Sequence, residues 1–537
     1  MPEALGDSAV PAAAKEHDGS AFAPLREPVF RMLWFTWFAA NTTMWMNDVA
    51  AAWLMTSLAP SPLWVALVQT ASTLPVFLLG LPSGAMADIL DRRRYFMITQ
   101  FWVAAVAGML CVAVLLKLMN PPLLLALTFF NGIGLAMRWP VFAAIIPEVV
   151  PRPQLPAALA LNGVSMNSSR IIGPLVAGAL IAGAGIEWVF VLNAVLSLTA
   201  AFIIMRWRRE HRESPLGRER LPSAMRVGLQ FVRQSQRMRA MLLRVFLFFL
   251  HSTALLALLP LLARALPGGA AGTFTVLLAS MGAGAIVAAL QMRRIRRVMA
   301  LERLILMGTC LQSVSALAVA WAPSIQVAVP AMMLAGAAWI AVANSLTVAT
   351  QMALPNWVRA RGMSIYQMAL MGSTAMGAAT WGQIATWSDI HIAVGIASVS
   401  SVAALLVAQR VVPDRAVEED LSPSSAFTAP VADAPPGAGR VQVQIEYRID
   451  PKRTAEFESV MQESRRSRMR QGALAWELLH DLYDPSRYIE QITDESWTEH
   501  LRRFDRVTKA DVALRDRKLA FHLGETPPVV RRFLVDR

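Results

Sequence analysis

The sequence predicts an all-α polytopic membrane fold, with about twelve transmembrane helices in two six-helix bundles and a C-terminal ferredoxin-like α+β domain. Three observations carry that reading. Mean hydropathy is +0.45, and 55% of the 537 residues are hydrophobic while 16% are charged. Apolar runs near the ~20 residues needed to span a bilayer alternate with short arginine-bearing loops. Beyond residue 440 the apolar runs stop and an alternating strand pattern begins.

The chain opens with residues 1–25, small, Pro-containing and polar, expected to form a disordered cytoplasmic N-terminus. Helices are expected at 32–58, 62–87, 95–117, 121–147, 156–184, 187–207, 241–264, 271–292, 302–322, 325–351, 360–388 and 390–411. Arg92, Arg93, Arg94, Arg152, a basic run over 206–239, Arg293, Arg294, Arg296, Arg297, Arg359 and Arg361 fall in every second connection; the others carry little charge. This asymmetry places both termini in the cytoplasm and the protein in the cell inner (plasma) membrane. It also accounts for the net charge of +13 as arginines facing anionic lipid, with no nucleic acid implied.

A cytoplasmic central loop, 208–240, divides an N-terminal bundle (26–207) from a C-terminal one (241–412). Part of it, 224–239, reads as an amphipathic surface helix with Val227, Phe231 and Met238 towards lipid. Gly132, Pro151, Gly173 and Gly178 recur as Gly336, Pro355, Gly377 and Gly382, each 204 residues later. Such a register fits two parallel six-helix repeats. Cys111 and Cys310 sit inside apolar runs as small core residues, implying neither disulfide nor metal.

The second and third helices are joined by Gly84-Ala-Met-Ala-Asp88-Ile-Leu-Asp91-Arg92-Arg93-Arg94. Gly84 permits close helix approach, and Asp88 stands where it can pair with arginines or cap a neighbouring helix. The pattern Gly-x-x-x-Asp-x-x-x-Arg-[Arg/Lys] resembles the signature loop of the major facilitator superfamily. Ile89 stands where that family usually has a basic residue, and Asp91 or Arg92 where a Gly usually precedes the Arg. Further stretches narrow the likeness: Trp45-Met-Asn-Asp-Val-Ala-Ala-Ala-Trp53-Leu, Ser61-Pro62, Leu74-Pro75, Leu81-Pro-Ser-Gly84, Arg170-Ile-Ile-Gly173-Pro174 and Val358-Arg-Ala-Arg361-Gly362. Over residues 22–412 they resemble the enterobactin-exporter-like, or transmembrane secretion effector, branch. The resemblance implies secondary active, proton-coupled efflux of an amphipathic small molecule such as a siderophore or drug. It also implies that the first, fourth and seventh helices line a central cavity. The stretch from Arg170 to Gly178 is similar to the fifth-helix motif of drug/proton antiporters, Gly-x-x-x-Gly-Pro-x-x-x-Gly, with Ser169 in place of the first Gly. Gly173, Pro174 and Gly178 make a bendable, closely packed segment suited to a rocking interface.

Ionisable groups within the membrane are costly, which makes them candidates for function. Asp48 lies near the middle of the first helix, with Asn41 and Met44 on its face. It is the expected proton-titrating group, with Arg138 or Arg170 nearby to set its charge state. A static Asp–Arg pair that fixes packing is the alternative. Arg244 and His251 sit seven apart on the seventh helix. Arg244 is expected to snorkel to the interface, and His251 is a proton-relay candidate or simply a hydrogen-bonded polar residue.

Residues 413–439 are Pro/Ala/Ser/Asp-rich and read as a flexible linker. A cytoplasmic βαββαβ domain over 440–537 follows, with strands at 441–447, 473–482, 487–492 and 529–534 and helices at 454–470, 495–504 and 509–522. Gly472-Ala-Leu-Ala-Trp476, Arg487-Tyr-Ile-Glu490 and Ser496-Trp497-x-Glu-His500 look like the dimeric α+β barrels related to antibiotic-biosynthesis monooxygenases. That likeness implies a homodimer through this domain and makes Trp497 and His500 pocket candidates, against core packing as the alternative. No Gly-x-x-x-x-Gly-Lys-[Ser/Thr] occurs, so no nucleotide-driven enzyme or cofactor is implied. The competing readings are a metabolite importer of the same fold and a ligand-sensing or monooxygenase-like role for the tail.

Overall fold

The computed structural model describes residues 22–59, 61–151, 154–207, 221–355, 357–412, 420–424, 426–427, 430 and 439–535, and the side chains of a few helical residues, Asp88 among them, fall outside that description. Six long helices come first: α1 (Pro28–Leu58), α2 (Pro62–Ile89), α3 (Arg92–Leu115), α4 (Pro121–Val149), α5 (Leu155–Gly183) and α6 (Glu187–Arg206). The short α7 (Leu221–Gln234) precedes six more: α8 (Gln236–Ala265), α9 (Ala271–Val298), α10 (Leu301–Ala320), α11 (Ile325–Met352), α12 (Arg359–Trp387) and α13 (Ile390–Val411). Local chemistry sets the starts. Proline opens α1, α2 and α4, where its missing N–H costs nothing. Asp91, Asn120, Ser235 and Asp389 cap α3, α4, α8 and α13 through their side chains.

Ten of these helices hold a stretch long and apolar enough to cross a membrane. The long helices α1 and α12 do not reach that threshold among the described residues; α1 carries Asn41, Thr42, Thr43, Asn47 and Asp48 in its middle. Large apolar side chains such as Leu115, Leu290, Val314, Trp387 and Val399 are exposed around the outside, a surface that only lipid covers without cost.

One end of the bundle carries the arginines of the α2–α3, α9–α10 and α11–α12 connections; the other carries few charges. At the arginine-poor end one core joins both halves, including Met46, Val49 and Met55 of α1, Leu255 and Leu262 of α8, and Phe274 and Met281 of α9. At the arginine-rich end the cores are separate. Phe30, Trp37, Phe96 and Phe142 pack in the first half, and Met241, Phe248, Phe249 and Tyr366 in the second.

The 204-residue repeat is a repeat of helix crossings. A Cβ on Gly132 of α4 would meet Ser72 O of α2 at 2.6 Å, and one on Gly336 of α11 would strike Met281 O of α9. Gly173 of α5 lies against Thr42 O of α1, and Gly377 of α12 against Leu250 O of α8. Gly178 of α5 lies against Thr275 of α9, and Gly382 of α12 against Ala66 and Leu63 of α2. The first two pairs let backbones touch within each half; the third does so between the halves.

The α7 helix lies inside the expected central loop, but its apolar face is not turned to lipid. Phe231, with Met238 at the start of α8, packs on Ala353, Leu354 and Val358 beside Trp357, and Val227 is fully buried beside Gly472. The physical reason is that the second half and the tail cover that face first.

The tail runs β1 (Val441–Arg448), α14 (Thr454–Arg470), β2 (Ala475–His480), β3 (Arg487–Asp494), α15 (Trp497–Asp505), α16 (Lys509–Leu519) and β4 (Val529–Leu534). Its four strands lie in the order β2-β3-β1-β4, all antiparallel, as a ferredoxin-like arrangement requires. The tail is seated on the membrane part. Ser223 and Arg226 of α7 donate to Glu495, both at 2.7 Å, and Arg226 also donates to Gly472 O. Arg506 stacks over Trp357 at 5.3 Å. The described part of the linker is pinned as well: Lys509 N donates to Ser422 O, Ala510 N to Asp420 O and Ser424 N to Val507 O.

Candidate functional site

Two seams join the halves. In the α2–α12 seam Gly382 sits against Ala66, Thr70 Oγ1 donates to Ala375 O at 2.9 Å, and Gly372 and Gly80 receive Phe77 and Met368. It therefore runs most of the length of both helices. In the α5–α9 seam Gly178 meets Thr275, and Gly282 meets Ile171. At the arginine-poor end Arg264 of α8 donates to Ser57 of α1 at 2.8 Å and lies 4.7 Å over Trp53, which stacks on Phe274. These residues close that end from both halves.

Midway along α1, the Asp48 carboxylate accepts from Ser72 of α2 at 2.9 Å. Among the described residues no cation lies within ion-pair distance of it. The expected partner Arg138 is directed elsewhere. It is 2% exposed, donates to Ala40 O at 3.0 Å and lies over Trp37. Ala40 is eight residues before Asp48, about 12 Å along the helix. Arg138 thus belongs to a small polar cavity inside the first half, with Thr43, Asn131 and Asn193. His251 lies on α8 of the second half. It is bonded through Nδ1 to Leu247 O at 2.7 Å and lines a cavity with Gln312, Ser313 and Ser401.

Arg170 is different. Its guanidinium lies 3.8 Å over the Trp339 ring of α11 and 5.6 Å from the Trp45 ring of α1, so it bridges the two halves. Trp45 is three residues from Asp48, so their side chains share one face of α1. The antiporter-like motif is divided between two jobs: Gly173 packs on α1 within its own half, and Gly178 on α9 across the seam. Ser169, in place of a Gly, is fully buried; it donates to Phe38 O and accepts from Thr42, both at 3.2 Å. Its hydroxyl ties α5 to α1 where a glycine would only permit contact.

In the charged hairpin, Asp91 caps α3 by accepting from Arg94 N at 3.0 Å. Arg93 donates to Ile204 O and Met205 O at the C-terminal end of α6, where a cation complements the helix dipole. Arg92 also has a partner, and Gly84 is half-buried in the last turns of α2. The Asp88 side chain lies outside the described residues. Arg244 does not snorkel: it is fully buried and pairs with Glu302 at 2.5 Å and with Val412 O. A partner on α10 satisfies the charge in place of water.

In the tail, Trp497 packs with Val441, Val443, Ala473 and Ile492. His500 Nδ1 bonds Asp494 at 2.8 Å, and its Nε2 receives Arg532 at 3.2 Å. Burial pushes the imidazole below its ordinary pKa although Asp494 pulls it up, which leaves the ring neutral and fully committed. Both candidates are built into the core, away from the tail cavity between Phe427, Arg468, Arg503 and Leu514. Sequence reading missed a second buried network. Glu490 has no exposed surface and accepts from Trp476 at 3.0 Å, Ser464 at 2.8 Å and Lys518 at 3.1 Å. Burial alone would raise its carboxyl, but Lys518 and Arg468 hold it well below the usual range. Its inward register in β3 was the available signal. Trp339, opposite Arg170, carried none.

A family model described as transmembrane secretion effector matches residues 19–537. The chain belongs to this MFS_3 family. The match runs on through the tail, past residue 412. Among relatives of this MFS_3 protein, the uncharacterized MFS-type transporter YfiS of Bacillus subtilis (strain 168) is 28% identical over 195 residues, covering 35% of the chain and 46% of that relative. The staphyloferrin A transporter of Staphylococcus aureus (strain NCTC 8325 / PS 47) is 21% identical over 276 residues, 51% of the chain and 69% of that protein. The chain thus spans about half the length of the first relative and about two thirds of the second. Among solved structures, a POT family transporter in complex with 5-aminolevulinic acid superposes with a TM-score of 0.59 at 11% identity, over 72% of the chain and 96% of that one. An inward-facing, unoccupied bacterial homolog of the human lysosomal transporter Spinster gives 0.55 at 14%, over 72% and 95%. These likenesses show the major facilitator fold.

Proposed function

We propose that this protein exports an amphipathic small molecule across the inner membrane by alternating access, driven by proton entry, with both termini in the cytoplasm. The observation that carries the reading is the one-sided closure of the bundle. The halves share a core, and the Arg264–Ser57 contact, at the arginine-poor end; they keep separate cores at the arginine-rich end. With arginines facing the cytoplasm, this is an inward-facing state that receives substrate from inside. The fold of the Spinster homolog, solved inward-facing, supports it. The relative named as a staphyloferrin A transporter supports a siderophore-like cargo.

Proton coupling rests on Asp48, which among the described residues has no cationic partner and can exchange its proton with the path between the halves. Asp88 of the hairpin and the glycine seams set which state is populated. The test is transport by the reconstituted full chain. Substrate should accumulate in everted vesicles energised by an acid interior and collapse with a protonophore. Accumulation in right-side-out vesicles instead would make the protein an importer.

A further inference from the structure

Among the described residues the guanidinium between the halves has neighbours but no acceptor. Among the described residues every contact of Arg170 is to a ring: Trp339 at 3.8 Å and Trp45 at 5.6 Å. No described carboxylate, carbonyl or hydroxyl receives any of its five N–H groups. The fully buried arginines of the membrane part are treated differently: Arg138 is bonded to Ala40 O, and Arg244 to Glu302 and Val412 O. An arginine held in the membrane plane is expensive and is normally paired. Asp48, one helical turn from Trp45, would have been an available counter-ion, yet it is bonded to Ser72.

The local packing fixes Arg170 where it is. Gly173 presses α5 onto α1, Ser169 bonds α1, and Ile171 fills the gap at Gly282 of α9. Stacking on the indoles supports the flat face of the guanidinium and leaves its hydrogen-bonding edge available.

We infer that Arg170, flanked by Trp45 and Trp339, is the anchoring residue of the substrate site and selects an anionic group, a carboxylate or comparable planar oxyanion, carried on a flat apolar body. The guanidinium edge receives the anion bidentately, and the indoles receive the apolar body. Because Trp339 belongs to the second half and Arg170 to the first, the apolar body competes with the contact that holds the halves together at this level. Binding would loosen one state in favour of the other. This rests on the reading of the space between the halves as the substrate path.

The test uses the full chain in phosphatidylcholine nanodiscs, with empty discs subtracted, and three probes on one ring system: anthracene-9-carboxylate, 9-anthracenemethanol and 9-(aminomethyl)anthracene. Equilibrium dialysis reads the affinity of each. The carboxylate is expected to bind at least about tenfold more tightly than the alcohol or the amine, as one charge-assisted pair provides. R170Q should abolish that preference, R170K should keep part of it, and W339A should weaken carboxylate and alcohol together. Equal affinities for the three probes overturn the inference even if no variant can be purified. So does an R170Q protein that still prefers the carboxylate, or displacement of the carboxylate by phosphatidylglycerol, which would make this a lipid site. Dialysis needs no gradient, so a protein that fails to transport can still show the preference. Conversely, transport without the preference refutes only the anion site.

Discussion

Replacing Gly178 with alanine tests the seam between α5 and α9. The new Cβ would lie 2.6 Å from Thr275 Cβ and closer still to its Oγ1 and Cγ2. Ordinary carbon contacts are ~3.5–4.0 Å, so the overlap is about 1 Å. Thr275 is 7% exposed and its hydroxyl is bonded to Ala271 O at 3.0 Å, so it has little room to turn aside. Overpacking of this kind costs ~1–3 kcal/mol. The cost falls on the state in which the helices touch, so it should shift the conformational equilibrium roughly 5- to 150-fold towards the state in which they part. The reporter is Met55→Cys, fully buried in the core that joins the halves at the arginine-poor end, in a background without Cys111 and Cys310, labelled by a membrane-impermeant maleimide. Labelling should accelerate in G178A and return towards the parent rate when T275G removes the three atoms nearest the new methyl. Unchanged labelling in G178A, or no rescue by T275G, would show that this contact does not distinguish the two states.

Other outcomes follow from other sites. Asp48→Asn is expected to abolish uptake driven by a pH gradient in proteoliposomes while retaining substrate binding; surviving gradient-driven uptake would move the proton site elsewhere. Gly472 has φ +108°, and a Cβ there would meet Val227 at 2.8 Å, so Gly472→Val should release the tail from α7 and speed proteolytic separation of the two parts; an unchanged digestion pattern counts against the docking. The isolated segment 440–537 is expected to fold and self-associate, and a monomer across a wide concentration range in light scattering removes the homodimer. In that segment the Glu490 and Asp494 carboxyls are held below their ordinary values once folded. Their stabilisation is therefore present above the unfolded carboxylate range of about 4 and is lost as pH falls through the lower folded values. Glu490→Gln should cost ~3–5 kcal/mol in urea unfolding at neutral pH, because it strands the buried Lys518.

The sequence exposed most of the architecture because the two strongest signals are one-dimensional. Span length and loop charge follow from the bilayer, and the three glycine pairs at a constant offset are equivalent crossings, such as Gly132 on α2 and Gly336 on α9. Pairings across space were less legible. Helical spacing puts Asp48 and Trp45 on one face of α1, but it cannot say whether Arg138 or Arg170 lies opposite. That depends on how α4 and α5 are rotated in the bundle. The same limit applies to α7, whose apolar stripe was visible while its covering by Trp357, Leu354 and the tail was not. For Arg244, position near a helix start suggested water as the partner, whereas Glu302 on a different helix supplies the charge.

The seat of the tail bears on how much of the molecule must travel in each cycle. The α7 helix touches both α2 and α12, with Gly228 against Arg361 at the start of α12, and α14 of the tail leans on α7. The seam made by α2 and α12 is the one in contact along most of its length, so it is the natural axle of a rocking motion. A load mounted beside an axle sweeps a short arc, whereas the same load beside α5 and α9 would be thrown wide. Some ninety residues are thus seated beside the seam that a rocking motion would disturb least.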